Sequence, residues 1–182
     1  KYGMGLQYAW PDLQADKDVA LVAVHQNGMA LQHVQLQMIL LRNDEDAVKN
    51  IVVAAVCQCG KALQFAPARL QANKEVVLLA VRQDGIALQF ASTEVRADKG
   101  VVMAAVKSVG VSLVYASPNL QRNKKLVNAA IKTLRSSDVE NFDASEESGI
   151  PPPTLSLAVD HLRANKEFVL TIVRRHGMSL EL

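Results

Sequence analysis

Aromatic residues make up only 4% of this chain. An apolar content of 49% must therefore build its core from aliphatic side chains, chiefly Val, Leu and Ala. Cysteine is almost as scarce, with Cys57 and Cys59 the two present. Two residues apart on one predicted helix, they point in different directions and cannot easily bridge each other, which rules out a disulfide framework and favours a reducing compartment such as the cytoplasm. No apolar stretch reaches the ~20 residues needed to cross a bilayer. The formal net charge is +2, too small for a chain dominated by attraction to nucleic acid or membrane, although a local basic stripe remains compatible with it. Lys1 leads at once into patterned sequence, with no visible signal peptide, no initiating Met and both ends inside a repeating unit. That is expected of a fragment or a processed chain.

What is present is a repeat. The segment from Asn73 to Gly85 opens on a helix-capping residue, runs through the apolar stretch Val76 to Val81 and closes on glycine. Near-copies place glycines at Gly3, Gly28, Gly60, Gly85, Gly110 and Gly177. Successive spacings are 25, 32, 25, 25 and 67, the second holding a seven-residue insertion and the last a degenerate boundary plus a linker. Self-similarity at such a period signals stacked units. After each glycine come a Leu and then usually an aromatic: Leu6/Tyr8, Leu31/His33, Leu63/Phe65, Leu88/Phe90 and Leu113/Tyr115. These rings are expected in the core. A Pro- or Ser-bearing turn follows, then one more apolar residue (Leu13, Leu70, Val95, Leu120), which predicts a single helical turn.

Asp16, Asn73, Asp98, Asn123 and Asn165 then open a long segment of about 11 residues, as capping residues do by accepting bonds from orphan backbone N–H groups. Glycine after the segment suits the left-handed C′ position that ends helices. The runs are apolar nearly all round, the pattern of a helix packed on both sides. A strand reading, as in a leucine-rich repeat, competes because short Val-rich runs are ambiguous. The caps, the glycine stops and the recurring Ala23, Ala55, Ala80, Ala105 and Ala130 favour helix, since Ala is depleted in strands and permits close helix packing. The expected fold is all-α: an α-solenoid-like array of ~25-residue repeats, each a short helix, a one-turn helix and a long helix.

Residues 1–134 form the tandem array, with an insertion near 35–46 that lengthens a helix or bulges a loop and offers Asp46 as substitute cap. Residues 135–153 are polar, acidic and proline-ended, an exposed loop or linker. Residues 154–182 resume the pattern as a further repeat, with Leu155, Leu157, Leu162 and Asn165 in register.

The line formed by Gly60, Ala62-Leu63-Gln64-Phe65-Ala66, Leu70, Asn73-Lys74, Ala80-Val81 and Gly85 returns as Ala87-Leu88-Gln89-Phe90-Ala91, Asp98-Lys99, Ala105-Val106 and Gly110. It resembles a tandem helical repeat family of unknown function found in secreted effectors of intracellular bacteria and in algal and other protist proteins. The resemblance departs at Val48, where the cap is missing, and at Pro152, where the glycine is. It implies a helical array, often joined to other domains, and transfers no activity and no catalytic residues.

Three polar columns are candidates for a working surface. Lys17, Lys49, Lys74, Lys99, Lys124 and Lys166 follow each cap and would align into a ridge. The helix dipole disfavours lysine there, so the ridge either holds an anionic partner or is a solvated edge diluted by Asp18, Glu75 and Glu167. Three residues before each glycine or its equivalent stand His25, Cys57, Arg82, Lys107, Lys132 and Arg174, followed one residue on by Gln26, Gln58, Gln83, Ser108, Thr133 and Arg175. The third column is Gln7, Gln32, Gln64 and Gln89. Cys57 and Cys59 with His25 or His33 fall short of zinc-ligand spacing. His161 and His176 lack a framing nucleophile motif, and the single periodic glycines form no phosphate loop. No cofactor is expected. The reading that follows is a non-enzymatic protein-interaction or structural scaffold, its partner another protein or a larger complex, with nucleic acid disfavoured and an anionic surface secondary. The alternative is an accessory segment of a multidomain enzyme or secreted effector whose catalytic domain lies elsewhere.

Overall fold

A computed structural model describes residues 3–137, and within them the chain is helical with no strand. The strand alternative fails. Five units follow one another, each a six-residue 3-10 helix, a short α-helix and a long α-helix. The 3-10 helices are Gly3–Tyr8, Gly28–His33, Gly60–Phe65, Gly85–Phe90 and Gly110–Tyr115. The short helices are Pro11–Gln14, Leu36–Leu41, Ala68–Gln71, Thr93–Arg96 and Pro118–Gln121. The long ones are Lys17–Gln26, Glu45–Gln58, Lys74–Gln83, Lys99–Ser108 and Lys124–Ser137. Arg135 to Ser137, assigned to the linker by sequence, continue the last helix. The rest of that linker and the unit 154–182, with Lys166 and Arg174, lie outside the described residues.

Each long helix packs against the next, each 3-10 helix against the next, and each long helix also against the 3-10 segments beside it in sequence. The result is two parallel ladders with one aliphatic core between them. Leu31, Leu63, Leu88 and Leu113 from the 3-10 ladder meet Val24, Val48, Val52, Val56, Val77, Val81 and Val106 from the long helices, all essentially excluded from solvent. At roughly 1.5–3 kcal/mol for each fully buried aliphatic side chain, this seam is the main source of stability. Phe65, Phe90 and Tyr115 are half-buried against it. Tyr8 and Trp10, by contrast, are 85% and 78% exposed, so the expectation that every ring is spent on the core fails in the first unit.

The caps form as the sequence implies. Asp16, Asn73 and Asp98 each accept two backbone N–H bonds from the first turn of their helices, and Asn123 accepts one from Lys125. In the second unit the cap is Asp44, which accepts from Ala47 N, and Asp46 lies inside the helix. The insertion therefore lengthens that helix at its amino end, after a turn in which Asn43 takes a left-handed φ of 58°. Asn tolerates this conformation better than most residues.

The glycines are where the sequence reading goes wrong. None of Gly3, Gly28, Gly60 and Gly85 has a left-handed φ, and each instead opens a 3-10 helix. The long helix before it ends in an extended residue, as at Asp84 with φ −147° and ψ 110°. A Cβ on Gly3, Gly28, Gly60 or Gly85 would overlap the carbonyl oxygen of Ala23, Ala55, Ala80 or Ala105 on the next long helix. Those alanines are the recurring small residues of the apolar runs and are themselves buried. Glycine and alanine thus form one dovetail within each of these four units, between its 3-10 helix and its long helix. Six residues of 3-10 helix suit this arrangement, because i and i+3 eclipse and place Gly85 and Leu88 on one line toward the core.

Ser112 marks a local mismatch. It occupies the position of Ala30, Ala62 and Ala87, is fully buried, and its hydroxyl meets no hydrogen-bond partner. Ser112→Ala should raise stability by about 1 kcal/mol by removing an unsatisfied hydroxyl. Urea unfolding checks this: the midpoint should rise at unchanged slope, and a lowered midpoint would show that Ser112 is bonded in solution.

Candidate functional site

The polar columns divide into those whose side chains bond the backbone of the array and those that mainly face solvent. The column read as Gln26, Gln58, Gln83, Ser108 and Thr133 belongs largely to the first class. Gln83 accepts from Gly60 N, in the 3-10 helix of its own unit, and donates to Gln58 O at 3.4 Å, at the end of the preceding long helix. Ser108 Oγ accepts from Gly85 N at 3.2 Å, and Thr133 donates to Val106 O at 3.1 Å. The amide N–H at the dovetail and the last carbonyls of each helix are orphan groups at a helix end. A polar side chain from the next helix satisfies them. This column ties the long helix to the 3-10 segment of its own unit and, through Gln83 and Thr133, to the end of the preceding long helix.

A further set went unnoticed in the sequence. Gln14, Gln71 and Gln121, at the end of their short helices, donate to carbonyls of the 3-10 helix: Gln14 to Leu6 O at 3.1 Å, Gln71 to Leu63 O at 3.2 Å and Gln121 to Val114 O at 2.7 Å. Their common place in the unit was the available signal. In the fourth unit Arg96 stands there instead, and its Nε is buried without a hydrogen-bond partner. Backbone bonds join the same region across units, from Gln35 N to Gln14 O, Ser92 N to Gln71 O and Ser117 N to Arg96 O, each 3.0 Å. The position equivalent to these donors is Pro67 in the third unit, which has no N–H to give.

The lysine ridge is exposed throughout the described units, at Lys17, Lys49, Lys74, Lys99 and Lys124. Lys49 no longer follows a cap, because its helix begins at Glu45. Lys74 Nζ reaches forward to Asp98 Oδ2 at 2.7 Å, while Asp98 Oδ1 caps the next helix through Gly100 N and Val101 N. A lysine disfavoured by its own helix dipole is thus stabilised by the cap of its neighbour, which assigns one rung of the ridge to the fold. Lys74 and these backbone bonds hold the Asp98 carboxyl below the usual carboxylate range. A depressed folded pKa contributes stability above the unfolded value of about 3.9, lost as pH falls through the folded value. Asp98→Asn, which keeps the cap as Asn73 does, should flatten that acid-side decline in thermal melts between about pH 5 and 2. An unchanged decline would remove Asp98 from the account.

The column at the carboxyl ends of the long helices is of the second class. His25, Cys57, Arg82, Lys107 and Lys132 are all exposed, on five successive helices. Arg82 and Lys107 make no hydrogen bond or ion pair with the described residues. Neighbouring packed helices lie ~8–10 Å apart, which sets the step of this column. His25 Nδ1 lies 2.7 Å from Leu21 O, within its own helix. Cys57 and Cys59 are both free thiols. Of the third column, Gln7, Gln32 and Gln64 are exposed and Gln89 is half-buried. Among the described residues no group of three or more His, Cys, Asp and Glu side chains comes together in a way that could hold a metal ion. Nor is any described helix long and apolar enough to cross a membrane.

Comparison with curated proteins and with solved structures gives no match. A family model does match, over residues 1–38 and 48–96, and it describes a domain of unknown function (DUF4116). The unmatched residues 39–47 between these segments overlap the insertion and the first turn of the helix Glu45–Gln58. Beyond residue 96 the same unit continues in the structure through Ser137. Over its first 96 residues, apart from that insertion, the chain is similar to a family whose function is unknown.

Proposed function

We propose that the array is a non-enzymatic scaffold that binds another protein, or forms part of a larger assembly, through the column at the carboxyl ends of its long helices. The observation that carries this reading is the contrast between columns. Gln83 and Ser108 bond to the backbone of the 3-10 helix of their own unit, and Gln83 also to the preceding long helix, whereas Arg82 and Lys107, one residue earlier and likewise exposed, make no bond with the described residues. Regularly spaced side chains on a packed array offer an extended surface whose geometry is set before binding, which lowers the ordering cost of association. Basic groups at helix carboxyl ends also complement the dipole, so they cost the fold nothing to display. Such a surface suits a partner with acidic side chains at matching intervals. The free thiols fit a reducing compartment such as the cytoplasm.

Affinity capture from the native source tests this. The parent chain should recover a stoichiometric partner at moderate salt, and the double variant Arg82→Glu/Lys107→Glu should lose it. Equal recovery by both would remove this column from the proposal. In the second reading the array is an accessory segment of a larger enzyme or secreted effector. It is favoured by the similarity to a repeat family without assigned activity, and it predicts that the chain is captured joined to a catalytic domain.

A further inference from the structure

Charge is segregated along the last described helices and the residues just after them. Residues 99–137 carry seven Lys and Arg side chains, Lys107 and Lys132 of the exposed column among them, and no Asp or Glu. The next ten, 138–147, carry Asp138, Glu140, Asp143, Glu146 and Glu147, and no Lys, Arg or His. Arg82 also lacks a ready acid: Asp84, the nearest in sequence, accepts from Ile86 N at 2.9 Å and pairs with Lys61 at 3.8 Å. At the far end of the column stand His25 and Cys57, so its permanent positive charge is gathered at Arg82, Lys107 and Lys132. The last long helix brings the acids to that end. Lys74–Gln83 and Lys99–Ser108 stop at the column and give way to the next 3-10 segment, whereas Lys124–Ser137 runs on about one turn past Thr133. Residue 138 therefore leaves the array on the side where the column lies.

We propose that residues 138–147 dock on the basic end of this column, their carboxylates set against Arg82, Lys107 and Lys132. The lengths allow it. Two helix steps of ~8–10 Å put Arg82 roughly 16–20 Å from Lys132. Ten extended residues reach roughly 33–36 Å, enough to turn back from the helix end and still span both steps. Attachment to the same chain favours docking, because a tethered segment meets its site at an effective concentration of about millimolar. The inference rests on the reading above for the choice of column and adds its regulation. An acidic partner must displace this segment, so its affinity is set by the difference between the two.

Zero-length carbodiimide cross-linking of the full chain, with peptide mapping of the monomer fraction, tests this in the absence of any partner. The pair Lys74–Asp98, 2.7 Å apart, is the positive control. Lys99, exposed at the opposite end of the helix that carries Lys107, is the negative one. Links from Lys107 to the five acids should exceed those from Lys99 roughly tenfold, as expected of a docked rather than a freely tethered segment. The excess should vanish in about 1 M salt. Equal yields at Lys107 and Lys99 while Lys74–Asp98 forms would overturn the proposal. So would Lys107 links confined to dimers, or an excess that salt leaves unchanged. Replacing the five acids by their amides should raise partner recovery in affinity capture. A Lys107 excess with no partner captured by either chain would leave the docking standing and remove the proposed function instead.

Discussion

Gly85→Ala is expected to destabilise the array by about 2–3 kcal/mol, although it adds only a methyl group and alanine favours helices. The added Cβ would overlap the Ala105 carbonyl oxygen and lie 3.1 Å from the Val109 Cβ and 3.0 Å from its backbone nitrogen. Two of these three neighbours are backbone atoms, so relief requires the helix Lys99–Ser108 to move away from the 3-10 helix Gly85–Phe90. Movement there also strains the bond from Gly85 N to Ser108 Oγ and opens the seam beside Leu88. A shift of roughly 2–4 °C in Tm per kcal/mol is usual at this chain length, so the melt should fall by about 5–10 °C. Gly5→Ala supplies the control. Nothing lies within 4 Å of a Cβ at Gly5, and Ala30, Ala62 and Ala87 occupy the same place in later units, so it should be neutral or stabilise by up to about 1 kcal/mol. Equal destabilisation by the two substitutions would mean that the glycines serve backbone freedom after all.

Leu88→Ala should cost still more, about 3–5 kcal/mol. Leu88 is fully buried at the centre of the 3-10 ladder, where Leu63 and Leu113 of the flanking units are buried as well. The surrounding atoms belong to helices held by dovetails on both sides, so they cannot collapse far into the cavity. Leu41→Ala, at a leucine 69% exposed, should change stability by less than about 0.5 kcal/mol. Calorimetry on the three proteins gives the comparison, and a small loss for Leu88→Ala would show that this ladder contributes little. Because each unit touches mainly its neighbours, such a cavity also weakens the fixed step between Arg82 and Lys107.

The helical unit and its period were legible because they rest on local chemistry. Asp16, Asn73 and Asp98 cap by bonds to residues two and three further on, so the sequence carries the whole interaction. The glycine was misassigned because its reason is non-local. Gly85 is fixed by Ala105, 20 residues away on another helix, and a left-handed cap and a steric dovetail leave the same mark in sequence. The 3-10 geometry was hidden likewise, since six residues are too few to separate a period of 3.0 from one of 3.6. Asp44 was passed over for Asp46 because both precede the same apolar run, and cap choice depends on where the turn at Asn43 leaves the chain. The columns were visible as columns. Their division was not, because whether Gln83 or Arg82 faces the neighbouring unit depends on the rotation of a helix, which polar composition does not report.

The central claim is that these units form a stack in which each junction repeats the one before. Deleting residues 85–109 tests it most directly, because it joins Asp84 to Gly110 and removes one whole unit without breaking the pattern. Gly110 then takes the place of Gly85, and Ala130 takes that of Ala105. The account predicts a shorter chain with the parent's helical signal per residue, a cooperative unfolding transition and a lower midpoint, since one junction is lost. A chain that loses its helical signal, or melts without cooperativity, would contradict it and show that the units fold only as one indivisible domain.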